Sequence, residues 1–351
     1  MPTLLEIRDL RVCFDTDDGV VQAVTGVSLR LERGEVLGVV GESGCGKSAT
    51  AMSIPRLLPL PTARIAGEIL FDGRDLLRQP VPELRRIRGR RIGMIFQDPM
   101  TSLSPLHRVG EQIAEVVRLH EAVPTAMARE RALAWLAKVG IPDPAARSRA
   151  YPHELSGGMQ QRVMIAIALI LEPDLVIADE PTTALDVTIQ AQVLELLRQL
   201  HRRDSGVLLI THDMGVVWEM CTRIAVMYAG EIVEEAPAQA FFGAPQHPYA
   251  RALLDAMPSA ATRGQPLHAI PGQVPSPLAW PTGCRFHDRC PYAFAHCAEH
   301  PPLLLCGEGR TARCWLVEGK VMGHSSWAIG EASATGSSPM SGVDCPMTHD
   351  L

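Results

Sequence analysis

The stretch EVLGVVGESGCGKSATAMSI, which begins at Glu35, has the residue spacing of a phosphate-binding loop. Its apolar run from Val36 to Val40 predicts a buried parallel strand, and this run leads into the pattern G-x-x-x-x-G-K-S. The glycines allow a tight loop whose backbone amides point at phosphate oxygens, and the following helix directs its positive end there. We expect Lys47 to reach the β- and γ-phosphates and Ser48 to hold Mg²⁺. The predicted phosphate-binding residues are Gly41, Glu42, Ser43, Gly44, Cys45, Gly46, Lys47, Ser48 and Ala49.

A second chemical pattern is LVIADEP, residues 175–181. Four apolar residues bring Asp179 and Glu180 to the carboxyl end of a buried strand, where open α/β sheets bind their ligands. Asp179 suits Mg²⁺, directly or through water, and Glu180 suits a water poised on the γ-phosphate. An acidic pair after a strand is weak evidence alone, because a solvated strand end looks the same. Together with the phosphate loop it predicts a nucleotide-hydrolysing site.

A third pattern, ELSGGMQQRVMIAIAL at residues 154–169, places a Ser-Gly-Gly turn before a long apolar helix. Ser156, Gly157 and Gly158 combine a helix cap, flexible backbone and a helix N-terminus, which together form an anion site. A protein with one phosphate loop has no evident need for a second phosphate-binding turn. We therefore expect a second copy of the chain, or a paralogue, to use it.

Five cysteines stand between Cys284 and Cys314, whereas Cys13, Cys45, Cys221 and Cys345 are scattered singly. Such clustering in a chain without a secretion signal indicates a metal site more than disulfides. Tetrahedral zinc sites usually show C-x-x-C pairs, and the gaps here are wider. The spacing favours an iron–sulfur cluster held by four thiolates, with zinc or unliganded thiols as alternatives.

The elements that must position these residues follow from the remaining pattern. Residues 98–165 show apolar positions three and four apart, as in RVGEQIAEVVRLHEAV and AMARERALAWLAKVG, which predicts a helical subdomain. Pro55 is expected to kink or end the helix after the phosphate loop. The longest apolar run, VMIAIALIL, is too short to span a bilayer. A net charge of -6 over 351 residues argues against nucleic acid as a partner.

The motifs together resemble the ATP-binding subunit of an ABC transporter over about residues 4–258. Six motifs occur in the family's order: GESGCGKS, the glutamine loop in IFQDP, the signature LSGGMQQR, LVIADE, the ALD loop, and the switch histidine in LLITHD. The signature differs from the commoner LSGGQ because Met159 replaces the glutamine. This departure leaves ATP binding intact and puts only the finer contacts of the signature in doubt.

The resemblance implies that two such subunits pair head to tail and enclose two ATP molecules, with Ser156, Gly157 and Gly158 of one covering the γ-phosphate on the other. It implies that Glu180 is the general base, that His212 contacts the γ-phosphate, and that Gln97 links Mg²⁺ and water to the membrane partner. Asp186 of the ALD loop also belongs to the nucleotide site. Phe14 is the candidate for stacking on adenine, or else a core strand residue. Cys45 is either a small filler or an acidified, reactive thiol.

The C-terminal part, with QHPYARALLDAMP and the cysteine cluster, resembles the extension of the ABC subunits that energise oligopeptide, dipeptide and nickel import. That resemblance implies a 4Fe–4S cluster on Cys284, Cys290, Cys297 and Cys314, with Cys306 as an extra thiol or a substitute ligand, and a structural or sensory role. We predict an ABC-type nucleotide-binding domain at residues 1–257, a cysteine-containing extension at 258–320, and a disordered tail at 321–351. The expected fold is α/β, with a P-loop NTPase core, a mostly parallel sheet, an N-terminal antiparallel β part and a helical signature subdomain.

The predicted function is that of the motor subunit of a peptide importer, with ATP, Mg²⁺ and a 4Fe–4S cluster, or zinc, as cofactors. Alternatives are the ATPase of a nickel or small-solute importer and a soluble ABC ATPase without a transport role. Expected partners are a paralogous ATP-binding subunit or a second copy, two transmembrane permease subunits and, indirectly, an external substrate-binding protein. We expect the chain at the cytoplasmic face of the inner membrane, as a peripheral subunit.

Overall fold

A computed structural model describes residues 2–59, 61–182, 187–200, 202, 204–257 and 269–321. The predictions for Asp186 and for most of the tail at 321–351 therefore lie outside the described residues. The strands are β1 Thr3–Thr16, β2 Gly19–Glu32, β3 Val36–Val40, β4 Ala63–Phe71, β5 Arg74–Asp75, β6 Ile92–Ile95, β7 Leu175–Asp179, β8 Gly206–Thr211, β9 Arg223–Tyr228, β10 Glu231–Pro237, β11 Leu304–Gly307 and β12 Arg310–Ala312. The helices are α1 Lys47–Ser53, α2 Val81–Ile87, α3 Pro99–Ser102, α4 Val109–His120, α5 Thr125–Lys138, α6 Pro144–Arg147, α7 Gly157–Leu169, α8 Val187–Leu200, α9 Met214–Met220, α10 Ala238–Gly243, α11 Pro248–Asp255 and α12 Trp315–Val321.

The larger sheet has the strand order β11-β12-β10-β9-β3-β8-β7-β6. The strands from β9 to β6 run parallel, and β10, β12 and β11 continue the sheet in antiparallel fashion. The central strands are apolar on both faces: Val207 and Leu209 of β8 pack into one core cluster, and Leu208 into another. Such strands, buried on two sides, are typical of a parallel sheet covered on both faces.

A smaller antiparallel sheet, in the order β2-β1-β4-β5, covers one face of the larger sheet. Helices α4, α5 and α7 lie on the other face, where they contribute to the first core cluster. The expected α/β fold, with a mostly parallel sheet and an N-terminal antiparallel part, is confirmed. Helix α1 ends at Ser53, two residues before Pro55, as the sequence predicts.

The predicted helical subdomain at residues 98–165 contains α3 to α6 and most of α7. Ile113 and Val117 of α4 and Leu136 of α5 are fully buried, so the apolar periodicity marks the inner faces of these helices. Within the described part of the chain, no helix is both long and apolar enough to cross a membrane.

The cysteine-containing segment joins the larger sheet directly, which the sequence patterns did not predict. Its hairpin of β11 and β12 pairs with β10, so that Glu234 of β10 lies opposite Ala312. Upstream of the hairpin, residues 269–303 are mainly irregular, with short 3-10 turns at His287–Arg289 and Ala295–Ala298. The domain boundaries at 257 and 320 stay a prediction.

Candidate functional site

The predicted catalytic and phosphate-binding residues meet at one edge of the larger sheet. The neighbouring strands β3, β8, β7 and β6 are parallel, so their carboxyl ends lie side by side. The phosphate loop follows β3, His212 follows β8, Asp179 ends β7, and Gln97 comes two residues after β6. Open α/β sheets bind ligands in this position because the loops there are brought together by the strands.

The phosphate loop between β3 and α1 has a conformation that requires glycine at two positions. Gly41 (φ 154°) and Gly46 (φ 104°) lie so close to neighbouring backbone that a Cβ would overlap the carbonyl oxygens of Met227 and Ala23, respectively. The Lys47 ammonium is buried and donates to the carbonyl oxygens of Gly41 (2.8 Å) and Glu42 (2.9 Å). The loop thus holds its cation at its centre, as phosphate binding requires.

Ser48 and Asp179 are brought together across the start of α1 and the end of β7. The Ser48 hydroxyl donates to the Asp179 carboxylate at 3.1 Å. Burial raises the pKa of Asp179, and the charge of Glu180 raises it further. Two adjacent carboxylates and a hydroxyl are the oxygen ligands that Mg²⁺ prefers, and a bound cation would stabilise the ionised form of Asp179. These residues therefore fit the predicted Mg²⁺ position.

Glu180 lies between the two other predicted catalytic side chains. Gln97 donates its amide to the Glu180 carboxylate at 3.1 Å, and Nδ1 of His212 lies 3.4 Å from the other carboxylate oxygen. The backbone of Glu180 is left-handed, with φ 47°, and its N–H donates to Ile210 of β8. Left-handed backbone is uncommon outside glycine and occurs often at functional sites. The side chain of His212 is largely exposed, which leaves it accessible to a ligand.

The signature turn lies at the start of α7. Ser156 caps this helix by accepting a hydrogen bond from the Met159 N–H, and both Ser156 and Gly157 are exposed. Space around Gly158 is limited by Ile189 of α8, since a Cβ would lie 3.0 Å from its side chain. Helix α7 packs against α3, α4, α5 and β6, whereas α1 packs against strands of both sheets. The signature turn is therefore exposed on the helical side, and its role as an anion site stays a prediction.

Two glutamines of the signature have structural roles that the sequence analysis missed. Gln160 is buried and donates to the carbonyl oxygens of Pro152 and Leu155, which stabilises the turn before Ser156. Gln161 donates to Pro181 at 2.6 Å and so ties α7 to the segment after Glu180. Their position directly after Met159, at the start of an apolar helix, was the only available signal in the sequence.

Two further predictions concern Phe14 and Cys45. Phe14 is half-buried on β1 and packs against the second core cluster, so its adenine-stacking role stays a prediction. Cys45 is fully buried, and burial raises the pKa of its thiol although the Lys47 ammonium opposes that shift. The interpretation of Cys45 as an acidified, reactive thiol is wrong, because desolvation outweighs the nearby positive charge. The thiol fills a small buried space instead.

The cysteine cluster surrounds one small cavity, with space for little more than a water molecule, about 10 Å³. The predicted ligands among its lining residues are Cys284, Cys290, Cys297 and Cys314. The fifth cysteine, Cys306, lies on β11 and packs beside Ala312. Burial raises the pKa of Cys284 to about 11 and that of Cys314 to about 12, with the neighbouring thiols adding to the shift. As the described side chains stand, no group of three or more His, Cys, Asp or Glu residues is arranged to hold a metal ion.

Comparison with known proteins gives two family matches. Residues 24–183 match the family model described as "ABC transporter", and residues 233–297 match "Oligopeptide/dipeptide transporter, C-terminal region". The second match covers α10, α11 and three of the cavity cysteines.

Curated relatives match nearly the whole chain. The probable peptide ABC transporter ATP-binding protein of Sinorhizobium fredii is 53% identical over 89% of this chain and 94% of its own length. The dipeptide transport ATP-binding protein of Bacillus subtilis is 48% identical over 90% and 95% of the two chains. The oligopeptide transport ATP-binding protein of Salmonella typhimurium is 49% identical over 89% and 93%.

Among solved structures, a dimeric ATP-binding cassette in a post-hydrolysis state with ADP and Pi is similar to this chain. Its TM-score is 0.60 at 29% identity, over 67% of this chain and 98% of that one. The matched fold, the order of the motifs at the sheet edge and the relatives over nine-tenths of the chain agree. This chain belongs to the ABC transporter ATP-binding protein family, whose members hydrolyse ATP.

Proposed function

We propose that the chain is the ATP-hydrolysing motor subunit of an ABC importer that takes up di- or oligopeptides through partner transmembrane subunits. The observation that carries this proposal is the combination, in one chain, of the ABC transporter match with the oligopeptide/dipeptide transporter C-terminal region. The names of the relatives, which transport peptides, dipeptides and oligopeptides, support the same substrate class.

In the proposed reaction each residue at the sheet edge has one task. Lys47 and the loop amides bind the β- and γ-phosphates, and Ser48 and Asp179 provide the oxygens for Mg²⁺, which neutralises phosphate charge when bound. Glu180 accepts a proton from the attacking water, because its carboxylate faces the space between Gln97 and His212. His212 contacts the γ-phosphate, Phe14 stacks on adenine, and Gln97 conveys the state of the site to the membrane partner.

The exposed signature turn supports a dimer in which each site is shared. Ser156, Gly157 and Gly158 of one subunit would close over the γ-phosphate bound by its partner, and Asp186 of the ALD loop would also belong to the nucleotide site. The partner is a paralogous subunit or a second copy, and two permease subunits join the assembly at the cytoplasmic face of the inner membrane. An external binding protein delivers the substrate, and nucleic acid has no part in this function.

The importer proposal is tested by isolating the chain from membranes with a mild detergent. We expect two integral membrane subunits to co-purify, and peptides presented by the cognate binding protein to stimulate ATP hydrolysis. Recovery of an ATPase that never associates with membrane subunits would instead support a soluble ABC ATPase without a transport role.

A nickel or small-solute importer is the second candidate, because the C-terminal part also resembles the extension of subunits that energise nickel import. The residues of this chain do not discriminate among substrates, since the ATPase does not contact them. The ligand bound by the substrate-binding protein encoded beside this chain decides between the two: a bound peptide supports the first proposal, and bound nickel the second.

The second part of the proposal is that Cys284, Cys290, Cys297 and Cys314 hold a 4Fe–4S cluster. The donor set fits, because all four line one cavity, where thiols of raised pKa gain from binding to iron as thiolates. Zinc is the alternative occupant of the same four thiolates. The cluster would serve as a structural link for the C-terminal segment.

Anaerobic purification tests the cluster. We expect a brown protein with broad visible absorption that bleaches on reduction, and iron and acid-labile sulfide in equal amounts. The Cys314→Ser variant should lose this colour while Cys306→Ser keeps it, since Cys306 is on β11 and is not among the lining residues. A colourless protein with stoichiometric zinc would overturn the proposal.

A further inference from the structure

Arg289, in the segment between two of the clustered cysteines, binds the side chain of Glu42 in the phosphate loop. Its guanidinium makes two parallel hydrogen bonds to the Glu42 carboxylate, Nη1 to Oε2 at 2.7 Å and Nη2 to Oε1 at 2.9 Å. Nε donates to the Pro271 carbonyl at 2.8 Å, and Nη1 also lies 3.3 Å from the Tyr228 hydroxyl. The side chain of Arg289 is only 4% exposed. The buried guanidinium and the partly exposed Glu42 carboxylate thus form a fork-shaped ion pair, which is a strong and directional interaction.

Glu42 is also held through its backbone by the C-terminal part of the chain. Its N–H donates to the Tyr249 hydroxyl of α11 at 2.8 Å, and its carbonyl accepts from the Lys47 ammonium. Side chain and backbone of one loop residue are thus fixed by two separate C-terminal segments, while the same residue contacts the phosphate-binding lysine. A movement of Arg289 would be transmitted to Lys47 through a single residue.

The Arg289 segment and the cysteine cavity form one packed unit. Phe286 lines the cavity and packs against Tyr228 and Tyr249, with ring centroids 5.3 Å and 5.4 Å away. Arg289 lies over the rings of Tyr228 and Phe286 and directly precedes Cys290. The three aromatic rings are fully buried. The Arg289 guanidinium is therefore held in place by the rings of Tyr228 and Phe286, and the C-terminal segment sets its position.

The negative charge of Glu42 opposes ATP binding, and the positive charge of Arg289 can neutralise it. A carboxylate in a phosphate loop repels the phosphates of ATP, since like charges brought together at a binding site cost free energy. The two hydrogen bonds to Arg289 neutralise this carboxylate and fix it in one orientation. In the absence of the guanidinium, Glu42 would be an unpaired anion beside the nucleotide site.

We propose that Arg289 is a positioning residue for ATP binding, which neutralises and orients Glu42 and thereby couples the cysteine-lined C-terminal segment to the phosphate loop. This inference goes beyond peptide import and requires only that the chain binds ATP. It does not depend on which metal, if any, the cysteines hold.

The experiment measures the Kd for MgATP, the steady-state KM and kcat, and the melting temperature of the full-length chain and its variants. Arg289→Gln is expected to raise Kd and KM about 10-fold, within the usual range for coupled sites, while kcat at saturating ATP stays within about twofold. Arg289→Lys keeps the positive charge but loses the paired hydrogen bonds to Glu42, so we expect Kd and KM to rise less, by about threefold.

The decisive variant is the double substitution Arg289→Gln with Glu42→Gln. If the weakened binding comes from the unpaired Glu42 charge, removing that charge restores most of the affinity, so the two substitutions are not additive. A purely structural role for Arg289 predicts a lower melting temperature and no rescue. An Arg289→Gln protein with wild-type Kd, or a double variant that binds ATP no better than Arg289→Gln, overturns the proposal.

Arg313 provides a matched control. It directly precedes Cys314 as Arg289 precedes Cys290, and it too donates to backbone carbonyls, those of Ile232 and Pro301. Its ionic neighbour is Glu231 instead of a phosphate-loop residue. Arg313→Gln should therefore leave Kd for MgATP within about twofold of wild type, since coupling requires contact with the loop. If Arg289→Gln does not fold, the graded comparison of Arg289→Lys with Arg313→Lys gives the same test.

Discussion

Glu180 differs from the other acidic residues near the site in its backbone conformation and in its neighbours. A left-handed φ of 47° costs of the order of 1 kcal/mol in a residue other than glycine. This conformation occurs where the Glu180 carboxylate lies between Gln97 and His212. Glu172 has nearly the same φ, 49°, yet it lies one residue before Pro173 and away from the sheet edge.

This contrast gives a matched pair of variants. Glu180→Gln is expected to lower kcat for ATP by about 100-fold or more, because it removes the proposed base while keeping shape and hydrogen bonding. Bound ATP should remain, and gel filtration with ATP should show a trapped larger species. Glu172→Gln is the control and should turn over ATP normally. Wild-type turnover by the Glu180→Gln protein would exclude Glu180 as the base.

The buried thiol of Cys45 gives a prediction about chemical reactivity. Because burial raises its pKa and closes access, alkylation by iodoacetamide at pH 7.5 should be slower than that of an ordinary exposed thiol. The rate should rise with pH, since a raised pKa reduces the thiolate fraction at neutral pH, and should become normal in denaturant. Peptide mass spectrometry locates the label. Rapid labelling of Cys45 in the folded chain would contradict this account.

At the scale of elements, Glu234 of β10 binds the start of α11 to the sheet. Its carboxylate is 1% exposed and accepts the N–H of Gln246 (2.9 Å) and of His247 (2.7 Å). Burial raises the pKa of Glu234, although these donors oppose the shift. A neutral side chain of the same shape is therefore a mild replacement, whereas deletion of the acceptor leaves buried donors unpaired.

We expect Glu234→Ala to lower the free energy of unfolding by about 3 kcal/mol and Glu234→Gln by about 1 kcal/mol. Chemical denaturation monitored by circular dichroism measures both. Since Tyr249 of α11 binds Glu42, a loss of α11 docking in Glu234→Ala should also weaken ATP binding. Equal destabilisation by Ala and Gln would show that the accepted hydrogen bonds contribute little.

The sequence could predict the parts of the site that depend on local patterns, but not the contacts between residues far apart in the chain. Lys47, Ser48 and Asp179 were predictable because each is fixed by residues adjacent to it in the chain, a strand end or a helix start. The pairing of Glu42 with Arg289 was not, since the two are 247 residues apart and no sequence pattern links them. The hairpin of β11 and β12 was missed for a related reason: strands of four and three residues carry too little alternation to be recognised.

At the scale of the whole molecule, each nucleotide site of the proposed dimer is formed by the phosphate loop of one chain and the signature turn of the other. Ser156→Arg should block the closing turn through bulk, and so should inactivate the site formed by the partner's phosphate loop, while Lys47→Ala inactivates the site of its own chain. Mixed dimers place both lesions on one chain or one on each chain.

With Ser156→Arg and Lys47→Ala on opposite chains, both lesions fall in the same composite site, and one intact site remains. With both on one chain, each composite site has one lesion, and ATP hydrolysis should fall to background. Single-turnover measurements on tagged, separately purified mixed dimers distinguish the two arrangements. The reverse pattern would mean that each signature acts within its own chain.

The pairing of β12 with β10 has a further consequence for the solubility of the protein. A chain that ended at residue 257 would leave the outer side of β10 without its β12 partner, and a free strand edge is a template for aggregation. The native outer strand, β11, has only four residues and an irregular register near Gly307, so it offers a poor template. The C-terminal hairpin thus covers a strand edge that would otherwise favour aggregation, and light scattering of the shortened chain should reveal aggregates larger than a dimer, which the full chain does not form.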